Sequence, residues 1–90
     1  MKQENTVLTL YYREGCHLCE QMAAALYALQ EELHYQVEWI DIDKDKQLKQ
    51  RYNVDIPVLA YHDVVICYHF FDEISLRQAI EQTTDNKPLS

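Results

Sequence analysis

Leu10-Tyr11-Tyr12-Arg13-Glu14-Gly15-Cys16-His17-Leu18-Cys19 is the stretch on which the reading of this chain turns. Up to its third residue the sequence is strand-like. Thr6 to Tyr12 is β-branched and aromatic, with Val7 and Thr9 alternating against Leu8 and Leu10. Arg13-Glu14-Gly15 breaks that pattern. From Cys16 onward the period changes: Leu18, Met22, Ala25, Leu26, Leu29 and Leu33 follow one another at spacings of 4, 3, 1, 3 and 4. That is one apolar stripe of a helix over about 16–33, with Glu20, Gln21, Gln30 and Glu31 largely on its other side. Cys16 and Cys19 therefore stand where a strand hands over to a helix.

That position dictates their chemistry. A helix N-terminus presents unpaired N–H groups and partial positive charge, and both favour a thiolate over a thiol. The thiolate is the nucleophile. Cys16, the more N-terminal thiol, is expected to have the lower pKa and the greater exposure. Cys19 lies one turn on along the same face, close enough for a disulfide after rotamer adjustment. Beside Leu18 and Met22, it is expected to be the buried, resolving thiol. Cys16 would attack a disulfide to form a mixed disulfide, and Cys19 would then displace the reduced product. Arg13 is placed to stabilise the thiolate or hold a substrate carboxylate, Glu14 and Glu20 oppose the thiolate, and a charged His17 would donate to it. Leu18 reads as the first core residue of the helix.

The remaining elements follow in order. Val37 to Ile42 is a second strand, apolar on both faces near its middle, as a central strand should be. Asp43 is the expected N-cap of a short helix through about Tyr52. Ile56 to Tyr61 is a strand beginning at Pro57, His62-Asp63 is a two-residue turn, and Val64 to Tyr68 completes a hairpin. Asp72 is the expected N-cap of a last helix, with Phe71 and Leu76 at the spacing of a hydrophobic staple. Beyond about Thr83 the chain is polar, and 84–90 is expected to be a frayed tail. The order β-α-β-α-β-β-α, with a helical crossover first and a hairpin later, implies an α/β domain: a four-stranded mixed sheet flanked by helices on both faces.

Ninety residues make one domain over 1–90. With 48% hydrophobic and 26% charged residues the composition is that of a globular chain. The longest apolar run, Met22 to Leu29, is eight residues against the roughly 20 of a membrane span. A net charge of −7 argues against nucleic acid and anionic membrane partners. Half the positive charge, Lys44, Lys46, Lys49 and Arg51, falls within eight residues. It reads first as a solvated helix face with cations near the C-terminal end, and second as a small anion site. Met1 to Asn5 is polar and leads into no secretory signal, so a cytoplasmic, reducing location is expected. Three cysteines exclude a full disulfide framework, and Cys67, inside an apolar strand, reads as an inert core thiol.

On these residues the chain resembles the thioredoxin-fold proteins, and more closely the small glutaredoxin-like proteins with a Cys-His-Leu-Cys centre. The resemblance rests on Leu10 to Gly15 before the cysteine pair, Asp41-Ile42-Asp43 after the second strand, Arg51-Tyr52-Asn53-Val54 leading into Ile56-Pro57-Val58-Leu59, and Phe71-Asp72-Glu73. It implies a thioredoxin-like fold and thiol–disulfide oxidoreduction through Cys16 and Cys19. No tightly bound cofactor goes with it. The partners it implies are a disulfide-containing protein or small thiol substrate and a cellular thiol reductant. From the residues alone Ile56–Pro57 is expected to be trans, since cis is about 5–6% of such bonds. The resemblance reverses this and implies a cis Pro57 against the active-site turn, with the Ile56 backbone free to pair with an extended substrate. Arg13 matches the basic residue that precedes the cysteines of glutaredoxins, and Arg51 would supply a second carboxylate contact, so glutathione enters as the reducing co-substrate. Two departures weigh against glutathione: His17-Leu18 stands between the cysteines in place of Pro-Tyr, and Cys67-Tyr68-His69-Phe70 stands where glutaredoxins carry Gly-Gly.

Two other classes of function fit the same residues. Cys16 and Cys19 would serve a structural zinc with Cys67 and His69 or His62 as further ligands. The domain would otherwise be a thioredoxin-fold binding module without turnover, its seven tyrosines lining a binding face.

Overall fold

The computed structural model describes residues 6–85. The elements run β1 (Val7–Tyr12), α1 (His17–Leu33), β2 (Gln36–Asp41), a single 3₁₀ turn (Ile42–Lys44), α2 (Lys46–Tyr52), β3 (Val58–Tyr61), β4 (Val64–Tyr68) and α3 (Glu73–Asp85). The sheet order is β2-β1-β3-β4. β1 and β2 are parallel, and β1–β3 and β3–β4 are antiparallel. The mixed four-stranded sheet of the sequence reading is the one observed.

Alternation along β1 divides the core into two layers. Leu8 and Leu10, fully buried, face α1 and α3 and pack with Met22, Leu26, Leu59 and Leu76. Tyr11 points the other way, toward Ile42, Tyr52 and Val58 and the α2 side. Truncating either leucine to alanine would cost about 2–5 kcal/mol. On α1 the buried residues are Cys19, Met22 and Leu26, while Leu18 is half-buried, so Cys19 takes the first core position expected of Leu18. A register shift between Leu59 and Ala60 lets both Ile66 and Cys67 reach the α1/α3 layer while Val65 reaches the other.

α1 ends at His34, which takes the left-handed conformation at φ 60° and donates its N–H to the Gln30 carbonyl at 2.8 Å. The chain then buries Tyr35, whose hydroxyl donates to the Leu26 carbonyl while Gln30 Nε2 donates to the Tyr35 carbonyl. This knot fixes where β2 begins beside β1.

Three local expectations are corrected. β2 is an edge strand, not a central one, and its outer residues are exposed, including Trp39 at 51%. Val37 packs on the α1/α3 layer, and Trp39, two residues on along the same face, lies edge-on against Tyr12 at 5.8 Å; Ile40, opposite Tyr11, takes the other face. The cap of α2 is Asp45, whose carboxylate accepts from the Gln47 and Leu48 amides; Asp43 lies inside the 3₁₀ turn that Asp41 caps. β3 begins at Val58, after the proline rather than at Ile56.

At α3 the expectation holds. The Asp72 carboxylate accepts from Ser75 N at 3.0 Å and Ser75 Oγ at 2.9 Å, and Phe71 packs on the same core as Leu76. These hydrogen bonds hold the Asp72 carboxyl below its ordinary pKa. The helix continues through Asp85. The rest of the proposed tail, 86–90, and the Met1 to Asn5 segment read for a secretory signal lie outside the described residues. No helix among the described residues is long and apolar enough to cross a membrane.

Candidate active site

Cys16 is the N-cap of α1, with extended backbone at φ −97° and ψ 112°. Its Sγ accepts from the Cys19 amide at 3.1 Å, and its carbonyl accepts from the Glu20 amide at 3.1 Å. A sulfur thus occupies the place where serine or aspartate usually caps a helix. Gly15 makes the turn from β1 into this cap at φ 77°, a conformation that L side chains rarely adopt. A Cβ at Gly15 would meet no atom within 4 Å, so the turn and not crowding calls for glycine.

Cys16 and Cys19 are joined as a disulfide, with Cα atoms 5.2 Å apart. Cys16 is half-buried and Cys19 is buried at 4% exposure, the asymmetry expected of an attacking and a resolving sulfur. Cys67 is free and buried, and burial pushes its thiol pKa up. It lies on β4, opposite Leu59, as part of the core. Among the described residues no group of three or more His, Cys, Asp or Glu side chains stands together for a metal, so Cys67, His62 and His69 do not complete a zinc site around the pair.

The parallel pairing of β1 and β2 brings Arg13 to a partner absent from the sequence reading. Arg13 Nε lies 2.9 and 3.1 Å from the two carboxylate oxygens of Asp43, and Nη2 lies 2.9 Å from Asp43 Oδ1 and 2.7 Å from Asn53 Oδ1. Lys49 Nζ stands 4.0 Å from the same carboxylate. The Arg13 hydrogen bonds hold the Asp43 carboxyl below its ordinary pKa and raise that of the guanidinium. A signal for this was present: residues just past the C-terminal ends of two adjacent parallel strands share one edge of the sheet.

His17 is exposed, its Nδ1 4.0 Å from Glu20 Oε1 and its Nε2 3.2 Å from Gln21 Nε2. Arg51 lies on α2 with its guanidinium carbon 5.1 Å above the Tyr52 ring, whose centroid lies 4.7 Å from that of the tilted Tyr11 ring. Lys49 and Arg51 occupy the last turn of α2, the cationic helix end expected of this basic run.

The Ile56–Pro57 peptide bond is cis. Pro57 is fully buried, and its carbonyl accepts from His69 N at 2.8 Å. Ile56 is half-buried and packs toward the α2 layer. The rows Tyr11–Val58 and Val58–Tyr68 set the Cys16 turn, Ile56–Pro57 and the loop after Tyr68 at one edge of the sheet. Val54 and Phe70, on the two loops that meet at Pro57, are exposed at 76% and 67%.

The arrangement matches known proteins. The model of the glutaredoxin-like domain (DUF836) matches residues 7–81. The solution NMR structure of protein Ne2328 from Nitrosomonas europaea is 39% identical, covering 83% of this chain and 91% of that one with a TM-score of 0.76. The X-ray structure of protein XcR50 from X. campestris is 34% identical over 82% of this chain and 95% of that one, TM-score 0.63. An N21Q mutant thioredoxin from Halobacterium salinarum is 27% identical over 96% of this chain and 81% of that one, TM-score 0.62. No curated protein matches the chain.

Proposed function

We propose that this chain, which belongs to the glutaredoxin-like domain family, is a thiol–disulfide oxidoreductase with Cys16 as nucleophile and Cys19 as resolving thiol. One observation carries the reading: the Sγ of half-buried Cys16 caps α1, accepts from the Cys19 amide, and is bonded to buried Cys19. The Cys19 amide that donates to this sulfur cap would stabilise a Cys16 thiolate when the pair is reduced.

In the proposed cycle the Cys16 thiolate attacks one sulfur of a substrate disulfide, and the other sulfur leaves as a thiolate. Cys19, deprotonated in turn, attacks Cys16 Sγ, releases the second substrate thiolate and closes the internal disulfide. Two electrons pass to the substrate, and a cellular thiol, glutathione or a protein dithiol, returns them. The substrate is a protein or low-molecular-weight disulfide lying along Ile56–Pro57, where backbone groups at the sheet edge pair with an extended segment. His17 and Arg51 are the polar side chains proposed for its rim. A reducing compartment such as the cytoplasm suits this cycle.

Trapping tests it. Reduced Cys19→Ser protein mixed with a disulfide should accumulate a mixed disulfide on Cys16, identified by peptide mass. Cys16→Ser should form none and should lose disulfide reductase turnover. A Cys16→Ser variant as active as the unmodified protein would refute the assignment.

A further inference from the structure

We propose that Asp43 sets the substrate class of this site: by cancelling the charge of Arg13 it leaves neutral and cationic disulfides favoured at Cys16 and anionic ones disfavoured. The inference rests on the thiol–disulfide reading above. The segment 13–20 that carries the cysteine pair holds Arg13, Glu14, His17 and Glu20 as its charged or titratable groups besides the cysteines. Arg13 is the one full cation in that segment.

Its guanidinium is occupied. Nε has one proton and Nη2 has two. Asp43 and Asn53 accept at both atoms, through four contacts of 2.7–3.1 Å. Only Nη1 carries protons outside these contacts. A substrate carboxylate seeking a two-pronged contact would have to displace Asp43, which Lys49 also approaches at 4.0 Å. Within segment 13–20, with Arg13 balanced by Asp43, the exposed Glu14 and Glu20 are the remaining full charges. Glu20 also lies beside His17, at 4.0 Å. The pair is partly open to solvent, at 30% and 39%, so its effect here is on local charge more than on stability.

The step read out is a single exchange: Cys16–S⁻ plus RS–SR gives Cys16–S–SR plus RS⁻. It is followed by mass in the reduced Cys19→Ser background with three reagents: cystamine (dication), bis(2-hydroxyethyl) disulfide (neutral) and glutathione disulfide (net dianion). Rates relative to the neutral reagent are compared with and without Asp43→Asn. Glu31→Gln is the control, since it changes net charge equally but sits on an exposed turn about 22 Å along α1 from Cys16.

At about 0.1 M salt, Asp43→Asn should raise the relative rate with glutathione disulfide about fivefold and lower that with cystamine. Glu31→Gln should change each by less than about twofold, and about 1 M salt should collapse the differences. The double variant Arg13→Gln/Asp43→Asn should return to the starting ratio. An unchanged ratio in Asp43→Asn overturns the inference, as does an equal effect of Glu31→Gln. A ratio for glutathione disulfide that falls in the double variant also overturns it, because Arg13 would then already be serving anions. Reaction with the neutral reagent but no charge dependence refutes this inference alone. No mixed disulfide with any reagent refutes it together with the oxidoreductase reading.

Discussion

The amide of Cys19 donates to Sγ of Cys16 across 3.1 Å, so the two residues of the pair are linked through backbone as well as through sulfur. On reduction, the same amide and the field of a 17-residue helix are expected to act on the Cys16 thiolate. Cys16 is therefore expected to titrate below an ordinary free cysteine. Thiolate absorbance of the reduced Cys19→Ser/Cys67→Ala protein measures this directly. A midpoint at or above that of a free cysteine would remove the cap as an activating device.

Cys67 should behave in the opposite way. Burial raises its pKa and removes it from solvent. Alkylation of the reduced native protein should modify Cys16 first and Cys67 only after denaturant is added. Cys67→Ser should cost about 1–3 kcal/mol by placing a hydroxyl in the core. Native-state labelling of Cys67 at a rate near that of Cys16 would contradict its place in the core.

The Arg13–Asp43 tie should register in acid. Asp43 has its folded pKa depressed, chiefly by the hydrogen bonds from Arg13. A depressed carboxylate contributes fully above its unfolded value, about 3.9, and loses that contribution as pH falls through the lower folded value. Asp43→Asn should therefore lower Tm slightly at pH 7 and make no difference at the acid end. Thermal unfolding of both proteins between pH 7 and 2 follows it. A gap that widens toward acid would reverse the sign and refute the pairing.

Tyr35 governs the alkaline end. Burial pushes its phenol up to about 12, and the hydroxyl donates to the Leu26 carbonyl. With the folded value above the unfolded value of about 10, the contribution is complete below 10 and is lost as pH rises toward 12. Tyr35→Phe should cost about 1 kcal/mol at neutral pH and flatten the loss of stability above pH 10. Tyrosinate absorbance read beside circular dichroism separates its ionisation from that of the other six tyrosines.

Gly15→Ala should destabilise by about 1–2 kcal/mol through backbone conformation alone, since the added methyl meets open space. Gly15→Asn should cost less, because asparagine tolerates the left-handed region better. Denaturant unfolding of the two variants tests the order. Equal cost would point to the side chain and not to the turn.

Period and turn chemistry made most of the fold legible. The switch from strand alternation to the stripe of Met22, Leu26, Leu29 and Leu33 located β1 and α1, and Phe71, Asp72 and Leu76 located the start of α3. These are local signals, carried by residues within a turn or two of each other. β2 misled because Trp39 is apolar yet exposed; its contact with Tyr12 depends on the neighbouring strand. Asp43 misled because aspartate serves equally as a cap and as a partner for arginine. Asp41, Asp43 and Asp45 all lie in the right stretch, and only the packing of β2 beside β1 decides which does what. The cysteine pair was legible at once. The occupied state of Arg13, fixed by a residue thirty positions away, was not.

Among the described residues, three of the four with positive φ are histidines: His34 after α1, His62 in the β3–β4 turn and His69 beside Pro57, with Gly15 the fourth. Each is a joint where many chains would use glycine, and each carries a backbone penalty of about 1–2 kcal/mol in the folded state. The offset lies before folding begins. A histidine samples far less backbone space than a glycine, so a chain with one glycine loses less disorder when its joints set. The frame that carries Cys16 and Pro57 thus draws part of its rigidity from the narrowness of its own denatured ensemble.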